Sequence, residues 1–293
     1  MSPAAPSADA TDIAGALAWA RARIDQMDAR VLLRHVLQCP AARLVAWPEQ
    51  TLATEDWAEY RALVERRAAG EPVAYLTGAR EFYSRAFRVG NGVLIPRPET
   101  EQLVGAALDS VRGRDGIRVL DLGTGSGIVA ITLALELGSR AASVVAVDRS
   151  ATALGYASMN AGALGAAVDF RLGDWFAGLD DLSFDLIAAN PPYVADSDPH
   201  LACGDLRFEP IQALAGGDDG LDAIRDIVAG AGARLSAGAS LLIEHGHDQA
   251  SEVRRMLAAA GFALVRSVRD LAGIERVTTG RWCVDGIRRR AVD

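Results

Sequence analysis

The segment Asp121-Leu-Gly-Thr-Gly-Ser-Gly127 constrains this chain more than any other stretch. Glycines at alternate positions permit a turn too tight for side chains. Apolar residues flank it, Val119-Leu120 before and Ile128 to Leu137 after. A strand that runs into such a turn and opens a helix is the first half of a β-α-β unit. The rhythm then repeats. Ser143 to Val147 reads as a strand ending in Asp148, with Ser150 as N-cap of the next helix. Val168 to Leu172, Phe184 to Ala189 and Ser240 to Ile243 supply further strands. This alternation predicts an α/β fold with a largely parallel sheet and helices on both faces. Phe262 to Val268 and Glu275 to Trp282 follow one another without a helix between them. They are expected to pair antiparallel at the sheet edge.

The chain before this region has a different period. Asp28 to Leu37 places Val31, Leu32, His35 and Val36 on one helical stripe, and Trp57 to Ala69 repeats the spacing with Tyr60, Leu63 and Val64. Gly70 and Pro72 stop the second helix. Phe87-Arg88-Val89, Gly90-Asn91-Gly92 and Val93-Leu94-Ile95 together read as a hairpin around an Asn-Gly turn. Tyr75, Phe82, Tyr83 and Phe87 are expected to pack it. Pro98 then opens a helix whose first turn carries Glu99 and Glu101. The expected organisation is a helical domain over 1–72, a hairpin linker over 73–96 and an α/β domain over 97–293.

Composition removes several function classes. The net charge of −8 opposes a protein that grips duplex nucleic acid through phosphates. Cys39, Cys203 and Cys283 are too scattered for a disulfide framework or a zinc knuckle and read as reduced cytosolic thiols. No apolar run reaches the eighteen or so residues of a membrane span, and the N-terminus lacks the pattern of a signal peptide. His245 and His247 have no third ligand at metal-binding spacing, so no metal is expected. Arg288-Arg-Arg290 reads as a solvated tail. A soluble, cytoplasmic monomer is expected.

Which ligand the glycine turn holds depends on charge and spacing. The order G-x-G-x-G differs from the dinucleotide G-x-G-x-x-G. Asp121, at the strand end, would repel a pyrophosphate and attract the ammonium group of S-adenosylmethionine. Asp148 ends the next strand, where a carboxylate can accept ribose hydroxyls, although NAD would be served equally. The loop therefore favours S-adenosylmethionine, with Gly123, Thr124, Gly125, Ser126 and Gly127 around it. Farther on, Asp174 could accept from an adenine amino group and Trp175 could stack on the ring. The same Trp could equally cover the core.

Asn190-Pro191-Pro192-Tyr193 directly follows the apolar strand Phe184 to Ala189. A planar NH₂ target needs two acceptors for its two hydrogens. The Asn190 side-chain oxygen and the Pro191 carbonyl can be those acceptors. The prolines stiffen the turn and hold Asn190 extended, and Tyr193 offers a ring face for a flat group. The turn fits an amide and a base amino group alike. Either is a poor nucleophile, so alignment with the methyl donor should dominate catalysis, an effect worth about 7–11 kcal/mol.

At this point the chain resembles the release-factor glutamine methyltransferase family (PrmC, or HemK). The resemblance rests on Gly70-Glu-Pro-Val-Ala-Tyr-Leu-Thr-Gly78, Arg80-Glu-Phe-Tyr83 and above all Leu94-Ile-Pro-Arg-Pro-Glu-Thr-Glu101. Asn190 to Tyr193, Phe208-Glu-Pro210, Ala213-Leu-Ala-Gly-Gly217 and Asp270-Leu-Ala-Gly-Ile274 extend it along nearly the whole chain. Ile211 stands where a basic residue is common. The resemblance implies a small helical domain and a Rossmann-like class I methyltransferase domain with a seven-stranded, mostly parallel sheet. It implies methylation of N5 of the glutamine in the Gly-Gly-Gln motif of class-1 peptide-chain release factors. Asn190 to Tyr193 would hold that glutamine. The glycine loop, Asp148, Trp175 and Asn190 would line the cofactor site. Related ribosomal-protein glutamine methyltransferases share the turn but differ at Arg97 to Glu101. A nucleic-acid amino-methyltransferase, a binding module without catalysis and a dehydrogenase are the remaining alternatives, in that order.

Overall fold

The computed structural model describes residues 11–270 and 272–283. The first residues of the N-terminus, Leu271 and the Arg288-Arg-Arg290 run lie outside the described residues. The chain divides into two compact units, Met1–Gly78 and Ala79–Asp293.

The first unit is helical: α1 (Ile13–Arg21), α2 (Gln26–Val36), α3 (Ala41–Ala46), α4 (Thr54–Ala68) and α5 (Val73–Thr77). Asp12 and Asp25 cap α1 and α2 by accepting the Gly15 and Met27 amides. The buried residues of α4 are Trp57, Tyr60, Leu63 and Val64, as the spacing predicts. On α2 the buried face is instead Ala29, Leu32 and Leu33, one position round from the expected stripe. These lie at i, i+3 and i+4, the spacing of one helical face, and on that face the Tyr60 hydroxyl of α4 donates to the Ala29 carbonyl at 3.0 Å. An Arg67–Asp28 ion pair at 2.7 Å ties α4 to α2.

The second unit opens with a hairpin, β1 (Ala79–Phe82) and β2 (Arg85–Arg88). The hairpin expected around Asn91-Gly92 is absent. Its turn is Tyr83-Ser84, with φ of 52° and 58°, the left-handed pair that a two-residue loop requires. Few non-glycine residues adopt this backbone. Here the Tyr83 amide donates to Glu101 Oε1 at 2.9 Å, and Phe82 meets Phe87 edge-on within the unit's core. Val93 to Ile95 cannot pair as a strand, because the Val93 amide donates to Gly90 O and the Ile95 amide to Glu209 Oε2. Residues 73–96 are thus divided between the two units, α5 in the first and the hairpin in the second.

After α6 (Thr100–Ser110) come β3 (Ile117–Leu122), α7 (Ile128–Leu137), β4 (Ala141–Asp148), α8 (Ala151–Leu164), β5 (Asp169–Leu172) and β6 (Phe184–Ala189). α9 (Asp222–Ala231), β7 (Leu235–Glu244), α10 (Ala250–Ala259), β8 (Phe262–Arg269) and β9 (Glu275–Trp282) complete the unit. Helix α6 begins two residues after Pro98, since Arg97 to Glu99 form a turn with Thr100 N donating to Arg97 O. The seven-stranded sheet has the order β5-β4-β3-β6-β7-β9-β8, parallel up to β7 and antiparallel at β9 and β8. Alternate β3 residues serve opposite faces. Val119 packs with α6 and α7, while Leu120 and Leu122 pack with α9 and α10.

Strand order reverses between β3 and β6: the chain winds outward through β4 and β5, then returns to add β6 on the other side of β3. In open α/β sheets such a switch point leaves a crevice beyond the carboxyl ends of the strands. Leu122 is level with Ala189 in the register, so Gly123 and Asn190 leave adjacent strands side by side.

Candidate active site

A cavity occupies this crevice. Of the residues singled out from sequence, Asp121, Gly123, Thr124, Gly125, Ser126, Asp148, Asp174, Trp175, Asn190 and Pro192 line it. Gly127, Pro191 and Tyr193 do not. Gly127 has φ of 86°, and a Cβ there would meet Ile131 Cδ1 at 2.7 Å and Ala157 Cβ at 3.1 Å. Its place is the close packing of α7 on α8.

The loop is a cradle built from backbone. A Cβ at Gly123 would lie 3.5 Å from the Trp175 ring and 3.9 Å from the Asn190 carbonyl oxygen. The Asp148 carboxylate holds the loop from below: Oδ2 accepts from Gly125 N and Oδ1 from Ser150 N, both at 2.8 Å. Each carboxylate oxygen has a further lone pair, so these bonds leave acceptor capacity toward the cavity. Trp175 holds an uncommon φ of 46°, presenting its ring to both the loop and the core.

Asp121 is buried, and Oδ2 accepts from the Thr124 hydroxyl at 2.6 Å and the Ala130 amide at 3.1 Å. Burial pushes its carboxyl up to about 7, against those two hydrogen bonds and with help from Asp148. A cationic ligand group in the cavity would offset that penalty. The residues therefore fit S-adenosylmethionine: a glycine cradle, a partly compensated carboxyl for its ammonium group and acceptors at Asp148.

The Asn190 side chain donates from Nδ2 to Thr100 Oγ1 at 3.1 Å, leaving its oxygen as an acceptor at the cavity. The Tyr193 hydroxyl, buried and raised above the usual phenol range chiefly by desolvation, lies 3.4 Å from Glu244 Oε1. Glu244 ends β7 and is pushed up to about 7 by burial, against the Thr100 and Tyr193 hydroxyls.

Sequence reasoning named no role for Thr100, Glu209 or Glu244. Glu209 is buried, accepts the Ile95 amide at 2.8 Å and pairs with Arg97, so it fixes the segment that walls the cavity. Only its place in Phe208-Glu-Pro210 marked it. His245 is structural: its ring nitrogens meet the Gly246 carbonyl at 2.9 Å and Thr278 Oγ1 at 2.8 Å. No metal-binding cluster occurs among the described residues, and none of their helices is long and apolar enough to cross a membrane.

A seven-stranded sheet with one antiparallel edge, a glycine cradle after β3 and an Asn-Pro-Pro-Tyr turn after β6 define a class I methyltransferase that uses S-adenosylmethionine. Residues 114–273 match a methyltransferase domain, and residues 15–78 match the PrmC N-terminal domain. The fold is shared with a methyltransferase from Pyrococcus furiosus at a TM-score of 0.52 and 16% identity, covering 78% of this chain and all of that one. A 16S rRNA guanine methyltransferase from T. thermophilus, in complex with AdoMet and guanosine, gives a TM-score of 0.52 at 18% identity, covering 70% of this chain and 49% of that one. The release factor glutamine methyltransferase of Burkholderia pseudomallei is 51% identical over 265 residues, which are 88% of this chain and 92% of that protein. The chain belongs to the release factor glutamine methyltransferase family.

Proposed function

We propose that this enzyme methylates N5 of the glutamine in the Gly-Gly-Gln motif of class-1 peptide-chain release factors. The observation that carries the reading is the adjacency of Gly123 and Asn190 at the ends of β3 and β6, with the Asn190 oxygen kept as an acceptor by its bond to Thr100. S-adenosylmethionine supplies a methyl group on a sulfonium when it is bound. Gly123 to Ser126 cradle that cofactor, Asp121 and Asp148 accept from its polar groups, and Trp175 with Asp174 encloses its base. Asn190 and the Pro191 carbonyl accept the two amide hydrogens and so turn the nitrogen toward the donor. Tyr193 supports this turn from behind, its hydroxyl at Glu244.

Catalysis in this scheme is mainly alignment within a dry site, and no strong base is needed. The test is methyl transfer from labelled S-adenosylmethionine to a class-1 release factor, its Gly-Gly-Gln→Gly-Gly-Ala variant, ribosomal proteins and DNA. Label on the release factor that vanishes in the variant is expected. Label confined to ribosomal proteins or DNA would overturn the assignment.

A further inference from the structure

We infer that Gln249 is a positioning residue: its side-chain amide pins the far end of the Asn-Pro-Pro-Tyr turn and so fixes where the turn's acceptors stand. The catalytic consequence rests on the proposed function, whereas the geometry stands apart from it.

A turn with two prolines has few ways to hold itself. Pro191 and Pro192 have no N–H to donate, and their rings fix φ. What remains adjustable is where the two ends of the turn lie. The sheet sets the first end, because Ala189 pairs with Leu122 of β3 and Ile243 of β7 immediately before Asn190. The second end has left the sheet, and its support comes from elsewhere in the chain.

Gln249 stands where β7 gives way to α10. Its Nε2 donates to the Tyr193 carbonyl at 3.0 Å, and the Asp219 and Gly220 carbonyls lie 3.3 and 3.4 Å from the same nitrogen. Its Oε1 accepts the Gly246 amide at 2.8 Å. Carbonyls on one side and an N–H on the other admit a single orientation of the amide. One side chain thus ties the turn after β6 to the connection between β6 and α9 and to the end of β7. That connection continues the seat: Val194 N donates to Leu214 O at 2.9 Å, and Gly216 N to Val194 O at 2.8 Å. Glycines permit so close an approach. A Cβ would lie 2.6 Å from the Pro192 carbonyl oxygen at Gly216, and 2.3 Å from that of Tyr193 at Gly220. With both ends held and both proline φ angles fixed, the Asn190 side chain and the Pro191 carbonyl are confined. Gln249 does not line the cavity, so it acts on the reaction only through the turn.

The experiment compares Gln249→Glu and Gln249→Met with the wild type, in the full chain at pH 8. Glutamate in this half-exposed place is ionised at that pH. It keeps the shape and the acceptor for Gly246, but turns only lone pairs on the three carbonyls. Methionine also has no donor and carries no charge. Both variants should lower kcat toward the release factor by roughly 10- to 100-fold, the scale of a misplaced reacting group. The dissociation constant for S-adenosylmethionine and the KM for the release factor should stay near wild type. A wild-type kcat in Gln249→Met, or a loss of cofactor affinity in parallel with kcat, would overturn the inference.

A second readout needs no turnover. The backbone amide hydrogen of Val194, followed by NMR, should exchange slowly with solvent in the wild type and faster in both variants. Unchanged exchange in the variants would mean that Gln249 does not hold the turn. Fast exchange in the wild type would refute the geometry even if neither variant folds. An inactive wild type whose Val194 exchange quickens in the variants would instead sink the proposed function and leave the role of Gln249 in the turn standing.

Discussion

Replacing Glu244 by glutamine should change how the stability of this enzyme depends on pH. In the folded protein burial moves the carboxyl from 4.5 to about 7. That displacement corresponds to about 3 kcal/mol of ionisation cost in the native state. Below pH 4.5 the group is protonated in both folded and unfolded chains, so the cost is absent. As pH rises toward 7 the folded protein keeps a proton that the unfolded chain has released, and stability falls. Above that point both states are ionised and the full cost persists. Glutamine cannot ionise, so the variant lacks this slope. For a unit of this size about 1 kcal/mol moves the melting temperature by about 2–4 °C, so the loss amounts to roughly 6–12 °C. The assay is thermal unfolding of both proteins, followed by circular dichroism between pH 4.5 and 8. Glutamine also alters the contacts with Thr100 and Tyr193, which adds an offset common to every pH. The informative quantity is therefore the change in the gap between the two curves: the variant should gain on the wild type as pH rises. Parallel curves would refute the reasoning, because they would mean that Glu244 titrates alike in the folded and unfolded chains.

Asn190→Ala should reduce kcat on the order of 100-fold while the affinity for S-adenosylmethionine, measured by calorimetry, changes by less than about tenfold. Equal losses would reduce Asn190 to a cofactor contact. Asp121, raised to about 7, must lose its proton to pair with a cationic ligand, so cofactor affinity should weaken as pH drops below 7, by up to about tenfold per pH unit. Asp121→Asn should bind more weakly at pH 8 and lose the Asp121 part of that slope; a slope identical to wild type would place the titrating group elsewhere. Glu209→Ala strands the buried Ile95 amide and the Arg97 guanidinium, at a cost of about 2–4 kcal/mol in denaturant unfolding. A loss below about 1 kcal/mol would mean that water replaces the carboxylate.

The parts of the fold that could be read from sequence are those governed by local period. Ile128 to Leu137 is a helix with the expected bounds, Ser150 accepts the Ala153 amide as the expected N-cap, and β8 pairs antiparallel with β9 because no crossover separates them. The hairpin was misplaced because Asn-Gly is the strongest local turn signal, whereas Tyr83-Ser84 owes its left-handed backbone to a distant contact with Glu101. The site divides the same way. Asp121, Asp148 and Asn190 stand at strand ends next to glycine or proline, so local grammar exposes them. Glu209, Thr100 and Glu244 carry no local mark, because their roles exist only across long separations: 114 residues from Glu209 to Ile95 and 90 from Thr100 to Asn190. Those separations close at one point because strand order reverses between β3 and β6. A one-dimensional reading finds what each strand end carries, but which second carboxylate or hydroxyl stands behind it follows from strand order. Alternation alone does not give that order. A site built at a switch point therefore shows its cradle and its target-binding turn in sequence, while the buried groups that orient them become visible only once the sheet is assembled.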